Sequence, residues 1–164
     1  MRVTLIDTLR AVSLLVTRTF GAAPTTKDIH EGFTRPCSYV QPILIQSEKN
    51  GRRFVLDRYT IQIIRLATKS ETGYLELLQW QETLREVLED PIAVYTEPTM
   101  ENGNAVAPTA TEFYLYPDDV SFDLDRDDMA LVVSFTIENA QVEDDAEETA
   151  AELMQNLEID LDTN

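Results

Sequence analysis

Residues 29–66, IHEGFTRPCSYVQPILIQSEKNGRRFVLDRYTIQIIRL, decide how this chain folds. Asn50-Gly51 lies inside EKNGRR, between two β-prone runs, and supplies the positive φ angles that a tight hairpin turn needs. Ser38–Ser47 and Arg53–Thr68 are therefore read as paired strands. Pro42 has no N–H to give to a ladder, which places the first strand at a sheet edge or at a bulge. In the second strand Phe54 and Leu56 share one phase, while Tyr59, Ile61 and Ile63 take the other. That slip predicts a bulge or bend near Asp57–Arg58. Upstream, a short extended piece is expected around Thr25–Ile29, and Gly32 and Pro36 punctuate a loop.

Working outward, Leu5, Leu9, Val12, Val16 and Phe20 recur at three- and four-residue steps and predict an amphipathic helix over 4–20, ended by Gly21. A second helix is expected over 72–89, with Tyr74, Leu77, Leu78, Leu84, Val87 and Leu88 as its stripe. Ser70 or Thr72 would cap it and Pro91 would stop it. Ile92–Pro98 reads as a short strand and Thr99–Ala110 as a loop without periodicity. Thr111–Leu124, interrupted at Pro117, and Met129–Asn139 read as two long strands joined by DRDD. Asp144–Leu157 is expected to be a short acidic helix, followed by a frayed acidic tail. Antiparallel strands with segregated helices give an α+β fold: a mostly antiparallel sheet with a long hairpin, packed by an N-terminal, a central and a short C-terminal helix. One domain over 1–157, with a tail at 158–164, accounts for 164 residues that are 43% apolar.

The charge is unevenly placed. Residues 1–69 hold eleven Lys and Arg against five Asp and Glu, a balance of +6. Residues 70–164 hold two against 25, a balance of −23. Such an acidic surface argues against sequence-specific DNA binding. It leaves two readings: a solvated face, or basic and acidic halves that meet across subunits or line a space through which DNA passes without sticking. The interrupted apolar N-terminus does not read as a signal peptide, and no uncharged apolar run reaches the roughly 18 residues of a membrane span. A soluble protein made in the cytoplasm is expected.

His30 and Cys37, with Glu31 nearby, supply the atoms of a Cys–His nucleophile pair, but no protease-type motif surrounds the thiol. A packed structural cysteine is the simpler reading. The run Asp118–Asp128 has the oxygens for a calcium loop but not its register, because Asp128 stands where glycine and Ser134 where glutamate is needed. Tyr59, Tyr95, Phe113, Tyr114, Tyr116, Phe122 and Phe135 fall mostly in strands and are assigned to the sheet core. No catalytic, cofactor or metal site is therefore expected. The hairpin tip is different: Lys49, Asn50, Gly51, Arg52 and Arg53, with Arg58 beyond, form the candidate subunit interface, an arm whose cations meet the acidic half of a neighbour. Head-to-tail contact of that kind, repeated with closure, makes a ring.

The amphipathic N-terminal helix, IHEGFTRPCSYV, the hairpin NGRRFVLDRYTIQII, the helix YLELLQWQETLREVL and the late strand MALVVSFTI together resemble the phage tail terminator family, over roughly residues 1–140. Gly32, Arg35, Pro36, Cys37 and Val40 are the most specific part. The loop Thr99–Ala110 and the acidic end after Asn139 depart from that pattern. The resemblance implies a structural protein without catalysis. It implies a hexameric ring on the head-proximal end of a tail tube, which stops tube growth and presents a surface to head-completion proteins while DNA passes through. Tube protein, and beyond it sheath and head-completion proteins, are the implied partners, in the virion neck. A head–tail connector or stopper is the nearest rival, and a small cysteine enzyme using Cys37 and His30 the rival from another class.

Overall fold

The computed structural model describes residues 3–26, 32–51 and 54–142, with the backbone alone at Asn50, Gln141 and Val142. The elements are α1 (Leu5–Phe20), β1 (Cys37–Asn50), β2 (Phe54–Leu66), α2 (Gly73–Val87), β3 (Ile92–Tyr95), β4 (Thr99–Glu101), β5 (Asn104–Val106), β6 (Ala110–Leu115), β7 (Asp118–Asp125) and β8 (Ala130–Val142). The fold is α+β, as the sequence predicts. The expected helix Asp144–Leu157 and the tail lie outside the described residues.

α1 starts where the sequence places it, at a reciprocal cap. The Asp7 N–H donates to Thr4 Oγ1 at 3.2 Å, and the Thr4 N–H donates to Asp7 Oδ2 at 2.9 Å. It ends at Gly21, whose N–H donates to the Thr17 carbonyl at 2.8 Å. α2 lacks the expected side-chain cap: the Thr72 hydroxyl lies 3.2 Å from that of Ser70 and bonds no backbone N–H. Its first residue must be glycine. A Cβ on Gly73 would stand 2.2 Å from the Thr68 carbonyl oxygen.

The main sheet runs β1-β2-β8-β7, every pair antiparallel. β2 alternates without a slip. Val55, Asp57, Tyr59, Ile61, Ile63 and Arg65 are buried, and the ladder to β8 is continuous from Phe54 to Leu66. The bulge expected near Asp57–Arg58 is absent. Phe54 and Leu56 stand on the outer face, and Asp57 holds the inner phase that an apolar residue would otherwise mark. The irregularity lies in β1, between Pro42 and Leu44. At the turn, Gly51 has φ +78°, whereas Asn50 is still paired with Phe54, so three residues close the hairpin.

Thr111–Leu124 is not one interrupted strand. β6 pairs with β3 in a two-stranded sheet, and after Pro117 the chain enters the main sheet as β7. The stretch expected to be loop contains the β4–β5 hairpin, with Met100 opposite Ala105. Both helices cover the inner face of the sheet. Ala11, Val12 and Val16 of α1 and Leu77 and Leu84 of α2 share one core with Ile61, Ile63, Val133, Phe135, Ile137 and Leu115. Arg65 enters that layer from β2, with its guanidinium carbon 4.4 Å from the Phe20 ring centre and 4.3 Å from that of Trp80.

The segment Gly32–Val40 works as a clasp. Arg35 Nη1 donates to the Ala67 carbonyl at 3.0 Å and to the Asp128 carbonyl at 2.8 Å, so the entry to β1 is tied to the end of β2 and to the β7–β8 turn. Phe33 meets Arg35 on its face, at 5.4 Å, and Tyr39 edge-on, at 6.1 Å. Arg35-Pro36 is cis.

Candidate assembly surface

β7 begins at Asp118, opposite Thr136 of β8, which in turn faces Thr60 of β2. From Thr60 toward the turn only β1, β2 and β8 continue. Phe54–Tyr59 thus form an arm of six β2 residues, about 20 Å at the usual strand rise. Among the described residues its two edges are β1 and, beyond Thr136, β8. At the base of the arm, Ile43, Leu44 and Ile45 of β1 are 50%, 48% and 57% exposed, and Phe54 at the tip is 54% exposed. After the irregularity beside Pro42, Leu44 pairs with Thr60 on the outer face and Ile45 with Tyr59 on the inner one, so both faces of β1 reach solvent here. An exposed aliphatic edge of this kind is a contact surface or an aggregation hazard.

The tip residues named from the sequence fall on two faces. Lys49 is opposite Val55, on the inner face; Arg58 is opposite Gln46, on the outer face. Arg58 Nε donates to Glu138 Oε1 at 2.6 Å across the β2–β8 ladder, so this cation is already paired within the molecule. Beside it an open depression of about 380 Å³ is lined by Gln46, Ser47, Glu48, Leu56 and Arg58. Gly51 sits at the turn, and Arg52 and Arg53 lie outside the described residues.

The other motifs resolve toward structure. Cys37 is half-buried at the start of β1, and burial pushes its thiol up, with Arg35 and Arg65 pulling the other way. A raised thiol pKa is the opposite of what an activated nucleophile has. His30 and Glu31 lie outside the described residues. In the acidic run, Asp125 Oδ1 accepts from the N–H groups of Asp127 and Asp128 at 3.0 and 3.1 Å, which closes the β7–β8 turn. Among the described residues no three His, Cys, Asp or Glu converge as metal ligands would.

One group assigned to the core is not there. Tyr114 is 51% and Tyr116 68% exposed, and Phe113 is also exposed. β6 belongs to a two-stranded sheet with one buried face, so Leu115 goes in and its two tyrosine neighbours go out. The alternation Tyr114-Leu115-Tyr116 carried that signal, and the pairing with β3 decides it.

The chain matches the phage tail terminator protein family over residues 7–105. It belongs to that family. The matched stretch contains α1 from Asp7 on, Arg35 with its Ala67 partner, the whole β1–β2 hairpin and α2. No curated protein matches the chain. Membership gives this tail terminator chain a structural role in a phage tail, in association with other tail components. Among the described residues no helix is long and apolar enough to cross a membrane.

Proposed function

We propose that copies of this chain close into a ring, of six as the terminator resemblance implies, on the head-proximal end of a phage or phage-like tail tube. The ring ends tube growth and offers the surface on which head-completion proteins join. The observation that carries this reading is the arm. Its β1–β2 hairpin runs about 20 Å past β7, with exposed Ile43, Leu44 and Ile45 at its base, and lies inside the segment that matches the family. A contact between the arm and a different surface of the next copy is heterologous, and it closes when the rotation per copy divides a full turn. Lys49, Asn50, Gly51, Arg52, Arg53 and Arg58 are the proposed interface residues on the arm side.

The acidic balance of residues 70–164 supports passage of DNA through the ring without adhesion. Tube protein is the direct partner, and sheath protein joins it where the tail contracts. The family match favours a terminator over a head–tail connector or stopper. The raised Cys37 thiol speaks against the cysteine-enzyme reading.

Particles assembled without this protein test the proposal by electron microscopy. Tails of uncontrolled length, or tails that never join heads, are expected. Tails of normal length joined to heads overturn it.

A further inference from the structure

We propose that the arms of neighbouring copies join edge to edge: β8 of one copy, past Thr136, takes β1 of the next as a parallel strand, and the arms close into one barrel around the bore. This rests on the ring reading and names the two edges that make its contact.

The main sheet is stepped. β7 leaves β8 at Thr136, and residues 137–142 continue to the tip with β2 on one side and no ladder partner on the other among the described residues. Across the arm, residues 44–50 of β1 pair with β2 without a break and also have one open side. Natural proteins guard an open strand edge with charge, irregularity or shortness. β7, the far edge of the sheet, is guarded. Asp118, Asp119, Asp123 and Asp125 are exposed along it, and its register is irregular between Asp118 and Ser121. The β8 run is not guarded. Its one charge, Glu138, is already held by Arg58 at 2.6 Å. A regular, nearly uncharged edge is a template for another strand.

Direction and level single out a second copy as the source of that strand. β1 is antiparallel to β2, and β2 to β8, so β1 runs the same way as β8. A rotation about an axis along the arm keeps that direction, and the contact is heterologous, the kind that closes a ring. Phe54 pairs with both Asn50 and Val142, which sets the two edges at one height. At that height Gln46 comes beside Glu138, and Glu48 beside Ala140, so no like charges meet. In the inner-face row Ile45, Tyr59 and Ile137, only Ile45 is exposed, and the neighbour's β8 covers it.

β7 fills the slot beside β8 below Thr136, so the next β1 enters only above that level. The four-stranded bodies are wider than the three-stranded arms by one strand, about 4.8 Å, and splay to the larger radius. Three arm strands from each of six copies make a barrel of about 18 strands. At the usual tilt it is about 35 Å across between backbones and leaves an open channel. Helices cover the inner face of the sheet, so the outer face lines that channel. Among the described arm residues this face carries Glu48 and Glu138 against Arg58, an excess of carboxylate that lets DNA pass without adhesion.

Cysteine pairs in the full-length protein, with Cys37→Ala removing the native thiol, test this at isolated tail-tube ends. Ala140→Cys is combined in turn with Gln46→Cys, Glu48→Cys and Asn50→Cys, the level position and the step on either side of it. Paired strands lie about 4.8 Å apart, within the reach of a disulfide. One of the three pairs is expected to give linked species of up to six copies on mild oxidation, while each cysteine alone gives none. The alternate amides of residues 137–142 that face away from β2 should exchange fast in the single chain and about tenfold or more slowly at the tube end. Pairs that never link, in variants that melt like the Cys37→Ala protein and gather in several copies at tube ends, overturn this pairing and leave the ring standing. So does a link between Leu44→Cys and Asp123→Cys, which sets β7 against the next β1. Slow amides already in the single chain overturn it too, because the chain's own tail then fills the edge. Wild-type protein that never gathers in several copies at a tube end overturns the ring itself.

Discussion

The Arg65 guanidinium carbon lies 4.3 Å from the centre of the Trp80 ring, so a buried cation from the sheet rests on an aromatic face from α2. Phe20 of α1 approaches the same cation at 4.4 Å and meets Trp80 edge-on at 5.7 Å. Arg65 Nη1 donates to Ser38 Oγ at 2.8 Å. One side chain thereby joins β1, β2 and both helices. No carboxylate forms an ion pair with it among the described residues, and burial lowers its pKa. Trp80 is partly buried, and Trp80→Ala is expected to cost about 1–3 kcal/mol. A double-mutant cycle with Arg65→Met should give a coupling of about 0.5–3 kcal/mol in urea unfolding. Additive losses would show that the stacking contributes nothing.

Arg35 is expected to act through geometry. Its two bonds to the Ala67 and Asp128 carbonyls are charge-assisted, and each is worth about 1.5–3 kcal/mol. Arg35→Lys keeps the charge but replaces the planar Nη1, which serves both carbonyls, with the freely rotating ammonium of a different stem. Faster amide exchange at the start of β1 and at the β7–β8 turn is the expected outcome. Unchanged exchange at both places contradicts the clasp.

How much of this was legible beforehand follows from what each signal reports. Helix periodicity and Gly21 placed α1 because an amphipathic stripe and its stop are local properties. The hairpin was legible from Asn50-Gly51 for the same reason, although only Gly51 takes the positive φ. The position of the bulge was misread because the arm reverses the usual rule: Phe54 and Leu56 face outward while Asp57 is buried. Tyr114 and Tyr116 were assigned to the core because strand aromatics usually are. Which face of β6 is covered depends on its pairing with β3, a long-range fact that the sequence does not print. The exposed tyrosine side of β6 was illegible for that reason, whereas the charged hairpin tip was plain.

Gly73→Ala should destabilise the protein without touching the arm. The added Cβ would stand 2.2 Å from the Thr68 carbonyl oxygen, and backbone has to move to admit it. A loss of about 1–3 kcal/mol is expected, read as a drop in Tm of about 2–4 °C per kcal/mol for a chain of this size. A Tm equal to that of the wild type contradicts the close approach.

Stability should fall in the alkaline range through Cys37. Burial raises its thiol above the ordinary 9.0, so the unfolded thiol loses its proton first. The folded state then binds more protons, and stability declines as pH rises from the unfolded value through the folded one. Below that window the contribution is fully present. Cys37→Ala is expected to flatten the difference in urea midpoint between pH 7 and the alkaline end. An identical slope in both proteins contradicts the assignment.

Image averaging of the head-proximal tip of isolated tails, with the protein's copies counted there, tests the central claim most directly. The account predicts a closed circle of six copies at that tip alone, each arm lying on its neighbour. A lone copy, an open row along the tube, or a circle whose arms touch no neighbour would contradict it.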